Sequence, residues 1–413
     1  MSVMVLDVET TTSNKGNPFD NNNRLCAIGV RHLDYRKALR IEHGDEPYGH
    51  HLERLQLALS EDVSLLVGFN FKFDLNWLYK YGVEYDGKVW DCQLFEHFAS
   101  NMQWITPSLE EACRDAHLEG QKDKEIEAYW EQDINTDQIP WSCIERRVLS
   151  DVDITYQLYL AQLEEFSTWP KNRQNLFKLQ CQDLLVLHHI ERNGFYYDEE
   201  KSKEEAAATQ AVLLDLEKQI HELAGDDRPN LNSDEHVSAI LYGGSIKYEW
   251  QEENGVYKSG AKIGQTRYKW LETIVEYPRL VPPIDGTEAE KTKSLISILK
   301  EQGKTKEEIA IVLLTQGVWS IDKKVLGRLL NGRINQKGKQ LIELLLKYSA
   351  EARSLSSYLD GLPKLIAKMN WPRNYLHGTI NQTVVRTGRT SSSKPNLQNF
   401  DGDLKILFST RFK

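Results

Sequence analysis

Four carboxylates carry the first chemistry that this chain offers. Asp7 and Glu9 lie two apart in Val3-Met4-Val5-Leu6-Asp7-Val8-Glu9-Thr10, where the apolar run marks a strand buried on both faces. Side chains at i and i+2 of a strand point the same way, so the two carboxylates leave the sheet side by side. That pair is unfavourable unless positive charge lies between them, and a divalent metal ion is the usual partner. The competing reading is a strand running out into an acidic loop. Asp74 follows Asn70-Phe71-Lys72-Phe73 at the start of a predicted helix, where a plain N-cap competes with a functional role. Asp151, in Ser150-Asp151-Val152-Asp153, shares a helix face with Ile154 and Leu158 and is therefore not fully solvated, with a solvated helix Asp as its alternative.

The elements that must hold these residues alternate between strand and helix over the first 165 residues. Strand signals fall at residues 24–30, 38–41 and 63–69, and helical spacing at 51–59, 73–81 and 144–166. Three consecutive strands followed by strand–helix alternation predict an α/β layer architecture with Asp74 at the carboxyl edge of the sheet. Trp169-Pro170 breaks the pattern and sets a predicted domain boundary. Beyond it, residues 171–230 read as long helices. Residues 245–295, with Gly255, Gly260, Gly264 and Pro282-Pro283, read as an insertion of hairpins and exposed loop. Helical spacing returns at 294–299, 307–314 and 341–359.

Composition narrows the class. The chain has 413 residues, enough for two or three domains, with 40% hydrophobic residues and a mean hydropathy of −0.53. No window approaches a membrane span and the N-terminus lacks a signal peptide, so the expected setting is cytoplasmic, without a membrane partner. Five scattered cysteines without a Cys-x-x-Cys pair argue for a reducing compartment and against a zinc site or disulfide framework. The net charge of −10 is uneven: residues 1–165 sum to −15, whereas residues 301–413 sum to +10. An acidic beginning and a basic end suggest that the latter part meets a polyanion, with a merely solvated basic surface as the alternative.

Taken in order, Asp7 and Glu9, then Gly68-Phe69-Asn70 with Asp74, then Asp151-x-Asp153 resemble the three motifs of the DEDD 3′→5′ exonucleases. Trp90-Asp91-Cys92-Gln93-Leu94 resembles the stretch after the second motif in the exonuclease domains of family A DNA polymerases. The second signal is longer. Thr387-Gly388-Arg389-Thr390-Ser391-Ser392-Ser393-Lys394-Pro395-Asn396-Leu397-Gln398-Asn399 resembles the signature of family A DNA polymerases. Residues 190–194, 230–233 and 320–326 are similar to that family's thumb and first palm segment, and the insertion near 245–295 looks like those of phage enzymes.

The resemblance implies an RNase H-like exonuclease domain over residues 1–167, a mixed sheet with helices. A partial polymerase domain over residues 168–413 would follow, a mostly helical thumb and the first palm segment. It implies Asp7, Glu9, Asp74 and Asp151 as catalytic ligands of two divalent metal ions, Mg²⁺ or Mn²⁺. DNA would be the partner, as 3′ ends and as primer–template duplex. Its contacts would come from Thr10, Asn70, Phe73, Arg147, Arg386, Arg389, Asn396, Gln398 and Asn399. The family's palm aspartates and fingers helix would follow the signature, and Asp401 and Asp403 do not stand in for them. A second chain carrying fingers and palm is therefore expected, or a longer gene, with a processivity factor as a further candidate partner. One departure stands out. The family's water-orienting Tyr or His is replaced here by Arg147 and Arg146, and guanidinium stays protonated, so neither serves as a base. Arg147, one turn before Asp151, would contact the scissile phosphate or pair with Asp151. A nuclease-inactive DNA-binding and assembly module is the competing function.

Overall fold

The computed structural model describes residues 2–44, 48–118, 125–260, 262–400 and 402–409. Asp401 and residues 410–413 lie outside the described residues. The chain divides into two compact units, Met1–Ser202 with Gly361–Lys413 and Lys203–Asp360.

The first unit opens with β1 (Val3–Thr10), β2 (Leu25–His32), β3 (Tyr35–Arg40), α1 (Gly49–Glu61), β4 (Leu65–Gly68), α2 (Lys72–Lys80) and β5 (Val89–Asp91). These strands form one five-stranded sheet in the order β3-β2-β1-β4-β5. β1 runs antiparallel to β2 and parallel to β4, and β4 runs parallel to β5. The continuous apolar runs explain the arrangement, because β1 and β4 are central strands covered on both faces. Helices α3 (Cys92–Ala99), α4 (Leu109–Asp115), α5 (Glu125–Trp130), α6 (Trp141–Thr168) and α7 (Lys171–Asn193) follow, then the short β6 (Phe195–Tyr197).

Gly29 sets how closely α6 approaches the sheet. A Cβ there would meet Val148 Cγ2 at 2.7 Å and the Val148 carbonyl oxygen at 2.8 Å. Gly29 is also the register partner of Asp7, so the helix is drawn in directly across from the first carboxylate. The core beneath collects Val5, Leu6, Ile28, Leu66, Val67, Phe71 and Trp77. Trp90, Phe95, Phe166, Trp169 and Phe177 form an aromatic cluster where α6 meets α7. All five cysteines of the chain (Cys26, Cys92, Cys113, Cys143 and Cys181) lie in this unit, buried as free thiols.

The second unit takes up most of α8 (Glu199–Ala224), followed by α9 (Asp234–Tyr242), β7 (Gly244–Val256) and β8 (Thr266–Tyr277). The expected hairpin insertion is a single two-stranded ribbon made by β7 and β8. α10 (Glu290–Glu301), α11 (Lys306–Gln316), α12 (Lys323–Leu330) and α13 (Gln336–Ser354) complete the unit, and α13 runs into a π-helical turn over Leu355–Leu359. Its own core is built from Ile240, Tyr242, Ile246, Trp319, Leu326, Leu341 and Ile342.

The chain then returns to the first unit with α14 (Gly361–Met369), β9 (Tyr375–Leu376), β10 (Thr379–Asn381), β11 (Ser391–Ser393) and β12 (Phe408–Ser409). β6 lies between β9 and β12, and β10 pairs with β11 as a hairpin. Among the described residues, no helix is long and apolar enough to cross a membrane.

Candidate metal centre and nucleic-acid interface

Asp7 and Glu9 leave β1 on the face over which α6 passes, and one turn after Val148 that helix presents Asp151. Asp7, Glu9 and Asp151 each offer a carboxylate oxygen, and these oxygens lie within 4.8 Å of one another. Glu9 and Asp151 are buried and Asp7 is half-buried. Three hard oxygen donors converging in a buried site suit one hard divalent cation such as Mg²⁺ or Mn²⁺.

Arg147 belongs to the same group of side chains. Its Nε donates to Asp151 Oδ2 at 2.9 Å and lies 3.3 Å from Glu9 Oε1, and the residue is only 3% exposed. Of the two roles the sequence left open for Arg147, pairing with Asp151 is the one seen, and the pairing extends to Glu9. The neighbouring Arg146 turns away to an ion pair with Glu125 on α5. Asp153 pairs with Arg31 and Arg36 and stays outside the cluster.

Asp74 is not within this trio. It lies in the first turn of α2 but is not its N-cap, a position taken by Phe71 without any side-chain cap. β4 accompanies β1 only as far as Val5. Further along that edge, the Val8 N–H donates to Asp74 Oδ1 at 3.0 Å. Burial pushes the Asp74 carboxyl well above the usual carboxylate range, and the charges of Asp91 and Glu9 push it further the same way.

Asp91, which the sequence reading quoted within the Trp90–Leu94 stretch, was given no role there. It caps α3 by accepting from the Gln93 and Leu94 N–H groups, and it also accepts from the Asn70 and Phe71 N–H groups. One buried carboxylate thus fixes the turn that leads into α2, including Asn70, which holds a positive φ of 52°. The signal was present as an Asp directly before the helical run Cys92–Ala99. Around the cluster, Thr10 is buried with its hydroxyl donating to the Thr11 carbonyl, Phe73 is half-buried and Asn70 is exposed.

The polymerase-like signature, Thr387–Asn399, takes in part of the loop of the β10–β11 hairpin, β11 and the segment after it. The first strand of this hairpin stops at Asn381. Past that point the backbone is engaged elsewhere: the Thr106 N–H donates to the Thr383 carbonyl at 3.0 Å, and Gln382 Nε2 donates to the Gln180 carbonyl at 3.0 Å. Arg386 and Arg389 are exposed at the tip. Asn396 caps the 3₁₀ turn Leu397–Asn399 through the Gln398 N–H, and Gln398 Nε2 donates to the Thr390 carbonyl. Asn396, Gln398 and Asn399 are exposed. Two guanidinium groups beside neutral amides suit phosphate and groove contacts.

The profile of DNA polymerase family A matches residues 284–410. The chain is 48% identical over 60 residues to the thermostable DNA polymerase I of Thermus filiformis, a match covering 14% of this chain and 7% of that protein. It is 21% identical over 457 aligned residues to the DNA polymerase of Bacillus phage SP01, covering the whole of this chain and 45% of that protein. Among solved structures it resembles the POL domain of Pol1 from M. smegmatis, determined in complex with a DNA primer-template and dNTP. The TM-score is 0.58 at 15% identity, over 97% of this chain and 52% of that one. This chain is thus a relative of the family A DNA polymerases and shares their mixed α/β fold, and its residues 284–410 carry that family's sequence. It spans less than half the length of these curated relatives.

Proposed function

We propose that the chain is part of a family A DNA polymerase acting in DNA replication, and that residues 1–167 form an RNase H-like, metal-dependent 3′→5′ exonuclease domain. The convergence of Asp7, Glu9 and Asp151 carries this reading. These three would hold one divalent ion, and Asp74 with Asp7 would serve a second. Bound there, such ions would activate a water and offset the charge of an already anionic phosphodiester. This chain's own contribution is to fix the carboxylates. β1 register sets Asp7 and Glu9, the close approach of α6 over Gly29 sets Asp151, and the Val8 N–H orients Asp74.

The remaining residues, 168–413, would form the thumb and first palm segment that hold primer–template DNA, with Arg386, Arg389, Asn396, Gln398 and Asn399 facing the duplex. The five free thiols fit a cytoplasmic setting. A 5′-labelled single-stranded oligonucleotide incubated with Mg²⁺ tests the nuclease reading. Shortening from the 3′ end is expected, lowered about 100-fold or more in Asp7→Ala and Asp151→Ala. Shortening undiminished in these variants would sink the proposal. The second reading, a nuclease-inactive DNA-binding and assembly subunit, is favoured by the pairing of Arg147 with Glu9 and Asp151. No shortening with either Mg²⁺ or Mn²⁺ would establish it.

A further inference from the structure

Asp7, Glu9 and Asp151 bring three carboxylates together, and the single guanidinium of Arg147 pairs with two of them. The guanidinium sits on two of the three carboxylates that an ion would need. It cannot yield by losing its proton, because arginine stays charged throughout the working pH range. Even where an ion takes the other oxygen of each carboxylate, the guanidinium beside it opposes its binding, since two cations in a buried, low-dielectric site repel strongly. We infer that Arg147 is the resident counter-cation of this carboxylate cluster, and that a divalent ion binds by exchange, entering as the guanidinium leaves Glu9 and Asp151.

The exchange rests on the proposed metal centre and adds two consequences to it. Metal affinity is lower than the three carboxylates alone would provide, because part of the binding free energy goes into breaking the Arg147 pairs. In the metal-free protein those same pairs offset part of the repulsion among three carboxylates this close. Arginine therefore stabilises the empty cluster and weakens the filled one.

Mn²⁺ titration of the full chain without DNA, followed by the electron paramagnetic resonance signal of free Mn²⁺, tests this directly. Arg147→Ala is expected to bind Mn²⁺ about tenfold more tightly than the natural chain, while Arg147→Lys, which keeps the charge, stays near the natural value. In EDTA the melting temperature of Arg147→Ala should fall below that of the natural chain, and Mn²⁺ should raise it by more. Equal or weaker Mn²⁺ binding by Arg147→Ala overturns the exchange while leaving the metal centre intact. No Mn²⁺ bound by either folded chain, with Asp151→Asn as the blank, overturns the metal centre itself and the exchange with it.

If Arg147→Ala does not fold, the natural chain decides through the Arg147 Nε–H nuclear magnetic resonance signal, assigned by its loss in Arg147→Lys. Protection of that proton from solvent exchange should disappear as Mg²⁺ saturates the site. Protection unchanged at saturating Mg²⁺ overturns the proposal.

Discussion

Two buried ion pairs in the first unit use similar parts and serve different ends. Lys72 on α2 donates to Glu191 Oε1 on α7 at 2.5 Å. The same oxygen accepts the Ile380 N–H at 2.6 Å, Oε2 accepts from Asn76 Nδ2 at 3.2 Å, and the Glu191 carbonyl is bonded to His377 Nδ1. Here one positive charge meets one negative charge, backbone and amide donors complete the carboxylate, and three elements are tied together. In the Arg147 group one guanidinium is set against two of three converging carboxylates. A buried pair whose charges cancel and whose lone pairs are used is a fastener. A buried cluster in which carboxylates converge is a place where a cation is wanted.

The largest expected effect tests the fastener. Glu191→Gln leaves the half-buried Lys72 ammonium without its counter-charge and should cost about 3 kcal/mol of stability, read from urea denaturation. Asp7→Asn should leave stability unchanged or raise it, because it relieves repulsion within the carboxylate cluster. Equal losses in the two variants would erase the distinction.

A smaller effect lies in pH. His188 is bonded through Nδ1 to Asn76 Oδ1 beside the Lys72–Glu191 pair, and burial, with the nearby Arg192 charge, lowers its pKa to about 3. The folded state therefore takes up this proton far less readily than the unfolded chain. The stability contributed by neutral His188 is complete above the ordinary histidine pKa of about 6.5 and is lost as pH falls from there toward 3. By pH 5 the loss should be on the order of 2 kcal/mol, and His188→Gln should flatten the pH dependence of the melting temperature over that range.

The smallest effect concerns the exposed signature. Arg389→Ala should leave stability within about 0.5 kcal/mol while weakening primer–template binding severalfold. Its salt dependence should drop by about one counterion, measured by fluorescence anisotropy across a salt series. Unaltered affinity and slope would remove Arg389 from the interface.

Much of this was legible because the relevant signals are local. The runs Val3–Leu6 and Leu65–Val67 announce central strands by having no polar face, and the i, i+2 spacing of Asp7 and Glu9 announces a shared direction. The half-apolar face of α6 announces that Asp151 turns inward. What stayed hidden depends on partners distant in sequence. Asp74 reads as a helix cap until the end of the β1–β4 pairing is seen, after which the Val8 N–H claims it. Arg147 had two plausible uses, and the pairing with Asp151 extends to Glu9 only because the approach of α6 across Gly29 brings Glu9 alongside. The grouping of residues 361–413 with residues 1–202 is likewise invisible to periodicity, since it arises from contacts such as Thr106 with Thr383 and Lys72 with Ile380.

The buried cysteines have a use beyond what they say about compartment. All five lie between Cys26 and Cys181, within the first unit, and none lies in the unit of residues 203–360. All five are hidden in the folded unit, and burial raises the thiol pKa of Cys26, Cys92, Cys113 and Cys181, to about 11 for Cys113 and about 12 for Cys181, which keeps these four unreactive. The rate at which an alkylating reagent labels the native protein is then a clock for the opening of the first unit alone. Five natural thiols thus form a reporter set, able to time that unit's breathing without any cysteine being introduced by mutation.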